Sequence, residues 1–181
     1  MIILGIHDGH NASASLIVEG KLICAVAEER LSRDKHQYGY PSRAIQEVID
    51  SAGITIKDVD RISMATPTLP PAYFYTQRNS TFTIQDYWKE QKEYWYPKLY
   101  ENKDPKYMDI FSYRVDRNRF PYDESLIENE NDHEGMINAR VDYVSKHLGV
   151  SRDIISVHDH HDCHAYYGYI SSPYRDTPSL V

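Results

Sequence analysis

Four histidines, His158, His160, His161 and His164, fall within seven residues of a 181-residue chain. His160 and His164 are four apart, so on a helix their imidazoles project from one face about a turn apart, the geometry with which two histidines grip one metal ion. A zinc or iron centre needs at least a third protein ligand, often a carboxylate. Asp159 and Asp162 are the local candidates, but neither projects from the same face as both histidines, and the remaining ligand is expected beyond residue 181. The spacing is therefore half of a metal site, and the competing reading is a solvated helix face. His161 points roughly 100° away from His160. At a helix N-terminus it could act as acid, base or donor to a phosphate, and an ordinary surface histidine is equally credible.

Two further clusters carry polar chemistry. Asp8-Gly9-His10-Asn11-Ala12-Ser13 lies where a first strand turns into a second, with small residues that let a ligand approach the backbone. Such turns cradle phosphates with main-chain N–H groups, and His10 there could donate to a phosphoryl or carbonyl oxygen and transfer a proton. Asp-Gly is also a common hairpin turn with no ligand at all. The run Glu28-Glu29-Arg30-Leu31-Ser32-Arg33-Asp34-Lys35-His36 follows a strand and precedes Gly39-Tyr40-Pro41. It reads as a site rim or as a solvated loop whose ion pairs contribute little.

The elements that must position these residues are legible from periodicity. Ile2 to His7, Ser13 to Val18 and Leu22 to Ala27 are short apolar runs, and Glu19-Gly20-Lys21 between the last two is a hairpin signal, so the chain opens as an antiparallel meander. Ile45, Val48, Ile49 and Ala52 recur at helix spacing, with Ser42 a cap and Gly53 a stop, predicting a helix over 42–52. Val59 to Ala65 is a fourth strand after a short loop, placed to join the sheet in parallel. A second helix spans 132–148, with Ile137, Val141, Val144 and Leu148 as its stripe and Gly149 as its stop. Ile154 to Val157 is a fifth strand and a helix begins near Asp159. The pattern is that of an α/β layer fold.

Between residues 67 and 131 the composition changes: both Trp, all four Phe and nine of the sixteen Tyr lie there. Ile84 to Trp95 suits a helix and 105–131 reads as loops and short turns. This is an insertion, its aromatics filling a satellite core or forming a binding wall or interface. Pro178-Ser179-Leu180-Val181 reads as the start of a further strand, so the chain is expected to be the front part of a longer domain.

Composition narrows the classes. Hydrophobic residues at 41% exclude disorder. A net charge of −7 offers no basic surface for nucleic acid. No apolar run approaches the ~20 residues needed to span a bilayer, and the N-terminus reaches charge too early for a signal peptide. No nucleic acid and no membrane are expected as partners, and the location is expected to be cytoplasmic. Cys24 and Cys163 do not suggest a disulfide framework.

Taken in order, Ile3-Leu4-Gly5-Ile6, His10-Asn11-Ala12-Ser13-Ala14, Ala27-Glu28-Glu29-Arg30 through Arg33 to Lys35-His36, Gly39-Tyr40-Pro41-Ser42-Arg43-Ala44-Ile45, and Asp159-His160-His161 with His164-Ala165 resemble the N-terminal half of the nodulation-type and antibiotic O-carbamoyltransferases. The resemblance implies a mixed sheet flanked by helices, of the actin, sugar kinase and heat-shock chaperone ATPase type, ribonuclease H-like, with residues 1–181 as its N-terminal half. It implies an enzyme that makes a carbamoyl-adenylate from carbamoyl phosphate and ATP, releasing pyrophosphate, and passes the carbamoyl group to a hydroxyl of a small molecule. By the same resemblance His160 and His164 hold a divalent metal, iron, that meets nucleotide phosphate. His10 is then the general base, Lys35 a charge clamp and His161 a third catalytic group, while Asp8, Asn11 and Ser13 contact the nucleotide or phosphate. Asn11 departs from the Asp usual in the family, and the family's downstream aspartate ligands are absent, so the 181 residues alone are expected to be inactive. A homodimer is compatible with all of this. The alternative is a non-catalytic interaction module with a structural metal site; a sugar kinase is disfavoured, since magnesium on oxygen ligands suffices there.

Overall fold

The computed structural model describes residues 1–65, 82–114, 116–128 and 132–178. The chain divides into two compact units, Met1–Leu69 with Tyr122–Val181, and Pro70–Pro121. Residues 66–81, which include the start of the expected insertion at 67, and 179–181, within the stretch 178–181 where a further strand is expected to start, lie outside the described residues.

The first unit is built on a five-stranded mixed sheet. β1 (Ile2–His7), β2 (Ser13–Val18) and β3 (Lys21–Ala27) form the antiparallel meander. Glu19 and Gly20 both take positive φ, 49° and 75°, the requirement of the two-residue turn whose twist matches a hairpin. β4 (Arg61–Ala65) and β5 (Ile155–His158) extend the sheet in parallel, giving the order β3-β2-β1-β4-β5. Alternation decides the faces. Leu4, Ile6, Ala14, Leu16, Ile62 and Met64 are all buried and share one face by register, Leu4 opposite Leu16 and Ile62.

Helix α1 (Glu28–Ser32) stands where a charged loop is expected. Glu28 begins it fully buried, because its carboxylate accepts from the backbone N–H groups of Ala44, at 2.7 Å, and Arg43. These are the first amides of α2 (Ser42–Ser51), so Glu28, distant in sequence, caps that helix and Ser42 does not. α2 buries Ala44, Ile45, Val48 and Ile49 and packs on β2 and β3.

α6, spanning His133–Leu148 after the shorter helices of the second unit, starts at Asp132, which caps Gly135 N–H, and ends at Gly149 in the left-handed conformation. Its buried positions are Gly135, Met136, Ala139, Arg140, Val141 and Val144, with Ile137 and Leu148 only half-buried. The expected stripe is thus rotated toward Arg140, which is drawn inward by a buried carboxylate. α7 (His160–Ile170) follows β5 and buries none of its residues.

The second unit has its own small core. α3 (Ile84–Lys89) runs through a π-helical stretch, Glu90–Trp95, into α4 (Tyr96–Tyr100). A further helix, α5 (Tyr107–Phe111), lies in the stretch read as loops. Tyr94, Tyr107 and Phe111 are buried against Phe82, Trp95 and Ile110, and the buried Glu90 accepts from Tyr107 O–H at 2.9 Å. Thr83 caps α3 and the Asp86 carboxylate closes the capping box: burial alone would raise its pKa, but hydrogen bonds from Thr83, Tyr113 and Arg114 outweigh this and hold the carboxyl well below the usual range. A carboxylate depressed by folding stabilises above its unfolded value, about 3.9, and that contribution is lost as pH falls through the lower folded value. Both tryptophans, Trp88 and Trp95, report on this unit. Fluorescence-followed urea unfolding should therefore show stability falling below about pH 4, with the slope reduced in Asp86→Asn; an unchanged slope would count against this.

Candidate functional site

The parallel strands β1, β4 and β5 end together. His7 pairs in register with Ala65, and Ala65 with His158, so these three form one row at the carboxyl edge, on the face opposite Leu4, Ile6, Ile62 and Met64. Ligands of open α/β sheets bind outside this edge. Two segments leave it toward the candidate residues: the turn from Asp8 to Ala12, and α7.

At the start of α7, Asp159 is the cap. Its Oδ1 accepts from His161 N–H at 2.7 Å and Asp162 N–H at 3.3 Å, and these bonds hold its carboxyl below the usual range. The amides of His161 and Asp162 are thus already engaged by a side chain. His160 and His164 do face each other: their Nε2 atoms are 3.1 Å apart, with the rings nearly perpendicular at 88°. Two nitrogens each bound at 2.0–2.1 Å to one ion sit roughly 3 to 3.4 Å apart, so the pair fits two positions of a single metal. Among the described residues no group of three or more His, Cys, Asp or Glu is placed to hold a metal. His161 points away, its side chain 91% exposed.

The turn is fastened by main-chain bonds to the loop that carries Lys35. Ala12 N–H donates to Gln37 C=O at 2.9 Å and Gly39 N–H to Asp8 C=O at 3.1 Å. Asn11 and His36 both take left-handed backbone, φ 59° and 58°, and His36 Nδ1 donates to Asn11 Oδ1 at 3.1 Å. Such conformations cost energy and gather at functional sites. The His10 ring stacks on His36, centroids 5.5 Å apart. His10, Asn11, Lys35 and His36 are exposed, and Ser13 is half-buried as the first residue of β2. His36 N–H in turn donates to Glu29, whose carboxyl it pulls below the ordinary range.

Asp8, expected at the phosphate turn, is fully buried. Arg140 grips both its oxygens, Nε donating at 2.7 Å, and Tyr122 O–H donates at 2.6 Å. Arg140 also donates to Ala65 C=O at 3.1 Å. The carboxylate thus ties the ends of β1 and β4 to α6. Neither Arg140 nor Tyr122 stands out in the sequence, since their partner is 132 and 114 residues away. His36 and His7 are the other residues that periodicity left unassigned. His7 joins the two groups of the site, with Nε2 2.9 Å from the carbonyl oxygen of His10 and its ring 5.8 Å from that of His160, inclined 29°. Strand alternation was a signal for it, because it sets His7 on the face opposite Leu4 and Ile6.

The model of the carbamoyltransferase N-terminus matches residues 2–181. The chain belongs to the carbamoyltransferase N-terminus family. Among curated relatives, this carbamoyltransferase segment is 43% identical over 54 residues to nodulation protein NolNO of Sinorhizobium fredii, covering 30% of this chain and 8% of that protein. It is 44% identical over 54 residues to an uncharacterized 19.2 kDa protein of Rhizobium etli, 30% of this chain and 32% of the other. An uncharacterized protein of Methanocaldococcus jannaschii is 45% identical over 49 residues, 27% and 10% of the respective chains. The segment therefore matches between a twelfth and a third of these relatives' own lengths. Cys24 and Cys163 are free thiols, and among the described residues no helix is long and apolar enough to cross a membrane.

Proposed function

We propose that this chain is the N-terminal part of an O-carbamoyltransferase that forms a carbamoyl-adenylate from carbamoyl phosphate, ATP and water, with orthophosphate and pyrophosphate leaving, and transfers the carbamoyl group to a hydroxyl of a small molecule with AMP leaving. One observation carries the reading beyond family membership: the His160–His164 pair and the His10 turn, with its Lys35 loop, leave the same carboxyl edge of the sheet and meet through His7. Had they left opposite edges, no single substrate could touch both.

In this reading a divalent ion, iron by the family resemblance, is held by His160 and His164 and supplies positive charge to nucleotide phosphate oxygens. His10 takes the proton of the acceptor hydroxyl while that oxygen bonds to the carbamoyl carbon and AMP leaves. Lys35 offsets phosphate charge, and Asn11 and Ser13 complete the polar wall, while His161 points away from it. Asp8 acts on the turn through Arg140 and Tyr122, since its oxygens are already engaged. The meander extended by two parallel strands supports placing the unit in the actin and sugar kinase superfamily. We extend the reading to a cytoplasmic protein, where ATP and carbamoyl phosphate are made, and to a homodimer.

The test is exchange of labelled pyrophosphate into ATP by the full-length protein. Exchange that requires carbamoyl phosphate is the expected result, with none from residues 1–181 alone. A second reading, an interaction module with a structural metal, draws on the exposed Ile84, Trp88 and Tyr100 of the second unit. Metal binding without any exchange would favour it over the enzyme.

A further inference from the structure

We propose that His7 is a positioning residue of this site, coupling the aim of the His10 turn to the orientation of His160. The proposal rests on the carbamoyltransferase reading. The His7 side chain leaves the last position of β1 on the open face of the sheet, and three contacts fix it. Nε2 lies 2.9 Å from the His10 carbonyl oxygen. A carbonyl only accepts, so Nε2 carries the proton and Nδ1 the lone pair. Nδ1 is buried with no hydrogen-bond partner among the described residues, so the reversed tautomer would bury an N–H without an acceptor. The geometry thus selects one tautomer and one ring orientation.

The second contact is the stacking on His160, which closes one side of that ring. The third is Gly9. A Cβ there would lie 2.8 Å from His7 Cε1 and 3.1 Å from Nε2, closer than side-chain atoms pack, and Gly9 is not among the residues with positive φ. The glycine makes room for the ring; its backbone freedom is not used. Gly9 stands between His7 and His10, so one short segment supplies the ring, the space for it and the carbonyl that holds it. Outer-shell groups that hydrogen-bond to a ligating imidazole tune metal affinity by roughly 10–100-fold; His7 acts on His160 through ring stacking instead, and precise sites need such support.

The test uses the full-length protein with cobalt(II) as a spectroscopic probe of the His160–His164 pair, alongside kcat and KM for carbamoyl phosphate. His7→Ala should weaken cobalt binding by up to about 10-fold, the lower end for hydrogen-bonded outer-shell partners, alter the visible spectrum of bound cobalt and lower kcat. His7→Gln places an amide N–H near the position of Nε2 and restores a donor toward the His10 carbonyl without the ring, so kcat should recover in part while cobalt affinity stays low. Gly9→Ala keeps every histidine yet should reproduce the His7→Ala spectrum by displacing the ring. Should His7→Ala not fold, the other two variants decide, and melting curves identify that case. Cobalt affinity, spectrum and kcat all within twofold of wild type in the folded variants would overturn the proposal while leaving the carbamoyltransferase reading intact. A wild-type protein that binds no cobalt and turns over no carbamoyl phosphate would remove that reading and the proposal together.

Discussion

Alanine at His164 is expected to abolish metal retention by the full-length protein while leaving its fold unchanged. His164 is exposed on a helix none of whose residues is buried, and surface substitutions of that kind usually shift stability by less than about 0.5 kcal/mol. The metal-binding effect is of another order. Removing one of two imidazoles whose nitrogens are 3.1 Å apart leaves a single histidine, so the loss should exceed the roughly 10–100-fold typical of an outer-shell partner. His160→Ala should do the same, and carbamoyl transfer should vanish with the metal in both. Metal content by atomic emission, paired with melting curves, checks the contrast. Full metal occupancy in either variant would make the pair a surface feature, and loss of metal with activity unchanged would make it structural.

Arg140→Met should be the most destabilising single change in the first unit. Its guanidinium and the Asp8 carboxylate are 1% and 0% exposed, so removing the cation leaves a buried charge that, among the described residues, keeps Tyr122 O–H as a donor. Breaking a buried pair on one side costs about 3–5 kcal/mol, a large part of the roughly 5–15 kcal/mol by which a domain is stable. Urea midpoints give the value. The cycle with Asp8→Leu distinguishes a lost pair from lost packing: the double variant should be less destabilised than the sum of the singles, because no lone charge remains. An Arg140→Met midpoint within about 1 kcal/mol of wild type would mean that water or rearrangement satisfies Asp8. Because Asp8 lies between His7 and Gly9, milder variants that still fold should also lose activity by freeing the turn.

The elements of the first unit are written in local signals. Glu19-Gly20 specifies the hairpin, the alternation of Leu4 and Ile6 specifies the buried face, Gly149 ends α6, and Asp159 begins α7. Each depends on neighbours a few residues away, and for that reason the meander, the parallel fourth strand and the helices α2, α6 and α7 are legible in the chain itself, whereas α1 stands where the sequence reads as a loop. The i, i+4 spacing of His160 and His164 likewise puts both rings on one face of any helix that forms there.

Long-range pairing was not legible in that way. Glu28 caps α2 from across a loop, and Arg140 turns an expected apolar stripe inward. In both cases a buried carboxylate demands a partner, and the sequence does not say which distant residue answers. The same is true of His7, whose contacts with His10 and His160 exist because parallel pairing of β1, β4 and β5 ends three strands at one edge. The sequence by itself determined which residues can do chemistry and which local elements carry them. The tertiary structure alone decided that Asp8 is held by Arg140 and that the two histidine groups meet, because strand order and burial, not spacing along the chain, set those distances.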